Sequence, residues 1–209
     1  MCLGNQPYNY IFFIRGVTMK LANYFFVLVS TVFVTVSSAN ADTALQLKGS
    51  PEFVSEAPLE KIVGVSEGTL ALVGDFVDVT SLRATVSIPV SSMKTGNKIR
   101  DEHLQGSDWL NAAANPNITF TTKSIEVVKQ KGDATKGKAT VNAIGDITIN
   151  GVSKEMTAPV KIKWSKKSVK VKTKFEIALA DFKVAGAQGV VGNKVGKSIA
   201  IRAKFKVKK

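Results

Sequence analysis

Apolar and polar residues alternate one by one through most of the chain after residue 41, and the alternation is cleanest near the end. Val169, Val171, Thr173, Phe175, Ile177 and Leu179 fall on one parity, with Lys170, Lys172, Lys174 and Glu176 on the other. Ile199, Ile201, Ala203, Phe205 and Val207 alternate with Arg202, Lys204, Lys206 and Lys208, and Val160, Ile162 and Trp164 with Lys161 and Lys163. A turn of about 100° per residue would spread these cations around a helix, whereas the 180° of a strand gathers them on one face. The pattern predicts strands with one apolar and one wet face.

The same rhythm, weaker, runs earlier. Leu70, Leu72, Gly74 and Phe76 share a parity, as do Leu82, Ala84, Val86, Ile88 and Val90, and Ile118 and Phe120 open a strand towards Val128. Ala139–Ile149 and Met156–Trp164 read as two strands joined at Asn150-Gly151, residues that tolerate the positive φ of a tight hairpin. Gly132 and Gly137, in a polar run, mark another reversal. Pro159 has no N–H to give to a ladder, so it implies an edge, a bulge or a strand end. Between Thr95 and Pro116 the alternation stops. Ser107 or Asp108 is placed to cap a short helix through Ala114 that Pro116 ends, so this stretch reads as one or two helical turns inserted between strands.

Strands with one apolar face bury it by closing on themselves or by stacking two sheets. Seven or eight strands suit either form, and closure also removes unpaired edges. The expectation is an all-β fold, an extended antiparallel barrel with a short helical insertion. Its interior is either filled by side chains or holds one small ligand.

Composition narrows the chemistry. Residues 1–41 contain no acid and end in Ser37-Ser38-Ala39-Asn40-Ala41 after the apolar run Tyr24–Val36. That is the layout of a secretory signal peptide cleaved after Ala41, so 1–41 reads as leader and 42–209 as one barrel domain, secreted or periplasmic. Met19 is an alternative start. The run is shorter than the about 20 apolar residues of a membrane span. Residues 42–209 have no cysteine and a single histidine, His103, which excludes disulfides, a thiol nucleophile and a multi-histidine metal site. No phosphate-binding glycine loop, zincin helix or calcium loop is present, so the sequence calls for no cofactor and no metal. Residues 42–153 carry 11 basic and 13 acidic side chains, whereas 154–209 carry 16 basic and 3 acidic. The positive charge therefore belongs to the last third, where Lys170, Lys172, Lys174, Arg202, Lys204 and Lys206 form a basic wall if their strands are neighbours. The aromatics Trp164, Phe175 and Phe205 lie on the opposite parity, so the stacking platforms of a nucleic-acid site are missing and nucleic acid is not the expected partner. Peripheral contact with an anionic membrane surface is.

From Thr95 the residues become specific. Thr95-Gly96, Arg100-Asp101, His103-Leu104, Asp108-Trp109-Leu110, Pro116, Ile118 and Phe120 resemble the signature of the YceI-like family. Gly145, Ile147, Ile149 and Gly151-Val152-Ser153-Lys154 resemble its hairpin, and Asp181-Phe182 its late Asp-Phe pair. The likeness spans Leu45–Val207 and is weakest from Phe53 to Ser66. It implies a lipocalin-like barrel, secreted or periplasmic, that binds a long-chain isoprenoid or fatty amphiphile and is not an enzyme. Parity and the resemblance together nominate Met93, Leu104, Ile118 and Phe120, then Phe175, Ile177 and Phe205, as lumen residues. Trp109 and Leu110 are placed either as a lid over the mouth or as a cap on the core.

His103 with Arg100 and Asp101 has the composition of a base and its orienting acid, but no serine nearby is an evident nucleophile. Bracing of the inserted segment is the simpler role for the three, with contact to a polar ligand head as the functional one. The leading expectation is therefore a lipid-binding barrel. The alternative is a non-catalytic envelope module with a filled core that uses its basic wall on anionic surfaces.

Overall fold

The computed structural model describes residues 44–57, 59–184, 186 and 194–208; the expected signal peptide lies outside them. Ten strands form one antiparallel sheet: β1 (Leu45–Gly49), β2 (Glu52–Glu56), β3 (Lys61–Val65), β4 (Gly68–Val73), β5 (Arg83–Pro89), β6 (Asn117–Gly132), β7 (Lys136–Ile149), β8 (Val152–Ser165), β9 (Ser168–Ala178) and β10 (Ser198–Lys208). From β4 to β10 each strand pairs with the next, and β10 returns to pair with both β1 and β2. The sheet is closed.

Counting ladders makes this an eight-stave barrel. β1 and β2 meet β10 in one uninterrupted register, Gly49 opposite Phe205 and Glu52 opposite Arg202. On their other side they meet β4 and β3 equally in register, Gly49 opposite Gly68 and Glu52 opposite Val65. Each pair is thus one bent strand, interrupted at Ser50-Pro51 and at Ser66-Glu67. Pro51 cannot donate, so the ladder continues through its carbonyl alone, which accepts from the Ser66 N–H at 2.8 Å and from its hydroxyl at 3.3 Å.

The expected strands appear where the alternation put them, and the expected hairpin forms with φ +49° at Asn150 and +72° at Gly151. Pro159 sits inside β8, opposite Asn142 of β7, one residue before pairing with β9 begins at Val160. Its missing N–H thus faces an edge with no ladder. Two expectations are corrected. Phe76 is not on a strand: β4 ends at Val73, Gly74 turns at φ +115°, and Phe76 stacks on Trp164 with ring centroids 5.3 Å apart. The helix does not run from Ser107 to Ala114. It is α1, Lys98–Gln105, capped by Asn97, whose side chain accepts from the Arg100 N–H, and residues 107–114 make turns through Asn111 at φ +48°.

Two apolar clusters fill the barrel unequally. At the closed end Leu47, Val79, Leu82, Val141 and Val169 are sealed from solvent beneath Trp164, whose indole N–H donates to the Asp133 carbonyl at 2.7 Å. At the other end Val90, Met93, Leu110, Ile149, Leu179 and Phe182 form a second cluster, shared among strand ends, α1 and the turns around it. The first cluster plugs the barrel and the second surrounds a mouth.

Candidate functional site

Two cavities lie inside the barrel. One of about 370 Å³ opens at the mouth and another of about 110 Å³ lies deeper, and Ile118 and Ile201 line both. The mouth cavity falls within the size range of small-molecule sites, roughly 300–1,000 Å³, and Ile118 and Ile201 stand between it and the smaller, almost wholly apolar deep cavity. Beside the mouth cavity β3 makes no ladder with β5, which pairs with β4 and β6. Among the described residues, β3 meets the segment after β5 at one bridge, Val65 to Lys94.

The sequence-nominated lumen residues divide between the two volumes. Met93, Leu104, Trp109, Ile118 and Ile177 line the mouth cavity, while Phe120, Phe175 and Phe205 line the deep one with Ile118. Leu110 is buried against the mouth cavity and Trp109 half-buried beside it. The Gly186 N–H donates to the Asp108 carbonyl and its backbone lies flat against the indole, leaving no room for a Cβ. Trp109 thus walls the mouth and caps the second cluster at once.

The polar trio separates. Arg100 and His103 line the mouth, and His103 is exposed in the last turn of α1. Asp101 points elsewhere: it is buried and accepts from both the Thr95 N–H and the Thr95 hydroxyl at 2.7 Å. The Thr95 hydroxyl, opposed by desolvation and aided by the Thr95 N–H, Lys94 and Arg100, holds the Asp101 carboxyl below the usual carboxylate range. Asp101 is a brace for α1. Among the described residues no nucleophile stands with His103 and Asp101, and no cluster of His, Cys, Asp or Glu suits a metal ion.

Sequence reading missed the far wall of the mouth. Phe53, Ser55 and Ile62 of the bent strands line it, and Glu60 pairs with Arg100 at 2.6 Å, strapping the β2–β3 turn to α1. Their signal was weak because each half-strand spans only five residues. Lys194, Val195 and Ile199 complete the rim. Thr122, beside the bulge in β6, also lines the deep cavity, and its buried hydroxyl has no partner among the described residues.

The cations of the outer wall do become neighbours. Lys170 stands opposite Lys206, Lys172 opposite Lys204, and Lys174 opposite Arg202. Arg202 is partly neutralised by Glu52 at 3.0 Å.

A family model for the YceI-like domain matches residues 30–207. A UPF0312 protein of Staphylococcus epidermidis is 42% identical over 81 residues, 39% of this chain and 47% of its own length. A UPF0312 protein of Staphylococcus aureus is 40% identical over 85 residues, covering 41% and 50%. The chain thus spans about half the length of the curated relatives it matches. Among solved structures, Burkholderia cenocepacia BcnA superposes with a TM-score of 0.62 at 20% identity, over 76% of this chain and 96% of that one. A polyisoprenoid-binding domain from Saccharophagus degradans gives 0.62 at 14% identity, over 78% and 97%. The Campylobacter jejuni YceI protein gives 0.56 at 24%, over 74% and 88%. These likenesses establish a shared fold.

Proposed function

The chain belongs to the YceI-like family, and from that premise we propose that it is an exported, non-catalytic binding protein that holds a long-chain isoprenoid or similar amphiphile in its barrel. The observation that carries this reading is the apolar mouth cavity, with a second apolar cavity beyond Ile118 and Ile201 and a sealed cluster at the far end. A solved neighbour described as a polyisoprenoid-binding domain has the same fold and supports the ligand class.

The geometry suits such a ligand. An apolar chain enters between α1 and the β2–β3 turn, passes Ile118 and Ile201, and ends near Phe120 and Phe175. Its polar head stays at the rim beside Arg100, His103 and Lys194. Burial of about 500 Å² of apolar ligand surface would contribute on the order of 10 kcal/mol before the entropy costs of association. No proton transfer or covalent step is required, which is why the lone His103 needs no catalytic partner.

Titration with a long-chain polyprenol tests the reading. Trp109 lines the mouth and Trp164 is buried at the plugged end, so ligand entry is expected to change Trp109 emission. A Trp109→Phe variant loses that change while still co-eluting with the polyprenol. Polyprenol that leaves the wild-type emission unchanged and fails to co-elute defeats the proposal. Export is tested by sequencing the N-terminus of the protein recovered outside the cytoplasm. Asp42 is the expected first residue, and retention of Tyr24–Val36 in a membrane fraction would contradict processing.

A further inference from the structure

The register of the barrel does more with the lysines than gather them on one face: it sets them opposite one another. Lys131 faces Lys138, Lys138 faces Lys163, Lys163 faces Lys170, Lys170 faces Lys206 and Lys206 faces Lys48. One cationic row therefore crosses β6, β7, β8, β9, β10 and β1 without a break. A shorter row, Lys161, Lys172 and Lys204, runs beside it. All nine side chains are exposed, and among the described residues none has a carboxylate within ion-pair distance. Like charges placed directly opposite one another destabilise a sheet. A run of five such pairs is the opposite of what stability alone would select.

The rows lead into a groove on the outside of the barrel, where the strand bends at Ser50-Pro51. Lys48, Lys170, Lys172, Lys204 and Lys206 line it together with Ser50, Thr69 and Ser87, and Pro89 and Phe205 add apolar wall. Glu67 is the one carboxylate in its lining, and its backbone N–H donates to the Ser92 hydroxyl at 3.1 Å. This groove is separate from the lumen. Phe205, which also lines the deep cavity, stands between the two.

We propose that this groove is a second binding site, one that takes a linear polyanion bearing several phosphates. The matching is chemical and geometric. Lysines supply point charges without fixing a fork geometry, which suits successive tetrahedral phosphates. Ser50, Thr69 and Ser87, in the same lining, carry hydroxyls that can donate and accept. The concave path favours a strand that can lie along it over a flat bilayer, which would meet the crests of a curved wall. The inference goes beyond the lumen reading and does not depend on it.

Isothermal titration of the purified protein with long-chain inorganic polyphosphate is the test. Wild type is expected to bind, with affinity falling linearly against the logarithm of salt concentration because each phosphate contact releases counterions. The variant Lys170→Gln/Lys172→Gln/Lys204→Gln/Lys206→Gln should bind at least about tenfold more weakly, whereas Lys61→Gln/Lys98→Gln/Lys154→Gln/Lys183→Gln, with the same change in net charge, should stay within about twofold. The first variant should also keep or raise Tm, because it removes cross-strand repulsion. Equal weakening of the two variants, absence of binding by wild type, or a lowered Tm in the first variant would each overturn the proposal. So would binding to phosphatidylglycerol vesicles that polyphosphate does not displace, since that outcome assigns the lysines to a membrane. Charged substitutions in the lumen should leave polyphosphate binding intact wherever the variant folds, so this site and the lumen fail or stand separately.

Discussion

At the scale of single residues, two buried polar groups show how differently the same barrel treats a paired and an orphaned oxygen. Asp101 has two donors from Thr95, and its carboxyl is held below the usual range by the Thr95 hydroxyl first. A group whose folded pKa is depressed contributes stability above its unfolded pKa, about 3.9 for aspartate, and loses it as pH falls through the lower folded value. Asp101→Asn is therefore expected to cost about 1–2 kcal/mol at pH 7 and nearly nothing at the acid end, read from urea unfolding across that range. A gap that stays constant below pH 4 would contradict this role. The Thr122 hydroxyl is buried with no partner among the described residues. Thr122→Val removes that unmet need and should leave stability unchanged or raise it by about 1 kcal/mol by thermal unfolding. A clear loss would mean the hydroxyl has a partner in solution. Phe120→Leu and Phe175→Leu should fold and release part of the bound amphiphile, because both rings line the deep cavity. His103→Ala, at the exposed rim, should retain it.

At the scale of elements, the mouth is held by α1, and α1 is held by few contacts. The Asn97 cap, the Asp101 brace and the Arg100–Glu60 pair fix it over the opening. Asn97→Ala is expected to cost about 1 kcal/mol locally, and Arg100→Gln less than about 1 kcal/mol because the pair is partly solvated. Both should speed the release of a bound polyprenol in stopped-flow measurements while the barrel's main unfolding transition barely moves. A large drop in global Tm without faster release would place α1 in the core of the fold instead. The helix is also where the sequence misleads. Ala112-Ala113-Ala114 has the stronger intrinsic helix preference, yet Asn111 takes a left-handed turn and the Leu110 N–H is drawn to the Leu104 carbonyl. In 97–105 only Ile99 and Leu104 are apolar, five residues apart and so on different helix faces, which leaves no apolar periodicity to mark α1. β1, β2 and β3 were illegible for a related reason: the interruptions at Ser50-Pro51 and Ser66-Glu67 cut two long strands into pieces too short for alternation to register.

At the scale of the whole molecule, parity alone revealed the barrel wall from β5 onwards, because each strand there has one buried and one solvated face. Parity puts the strand residues Ile118, Phe120, Phe175, Ile177 and Phe205 on the face that lines the two cavities, whereas Met93, Leu104 and Trp109 lie outside the strands and parity does not reach them. What parity could not supply is register. Whether Lys170 faces Lys206 or slips past it depends on turn lengths and bulges, such as the two in β6, and only the paired sheet shows the unbroken cationic row. Nor could parity reveal whether the interior is hollow. That depends on the sum of side-chain volumes against a cross-section set by eight staves, and the answer differs between the two ends. The central claim, an apolar ligand in the open half, is tested most directly by native mass spectrometry of freshly purified protein. The account predicts a mass above that of the chain, lost after extraction with organic solvent and recovered as a long-chain apolar molecule, and diminished in Phe120→Leu. Protein that flies at its bare mass from the host in which it is naturally made, and that takes up no polyprenol when offered it, would contradict the account.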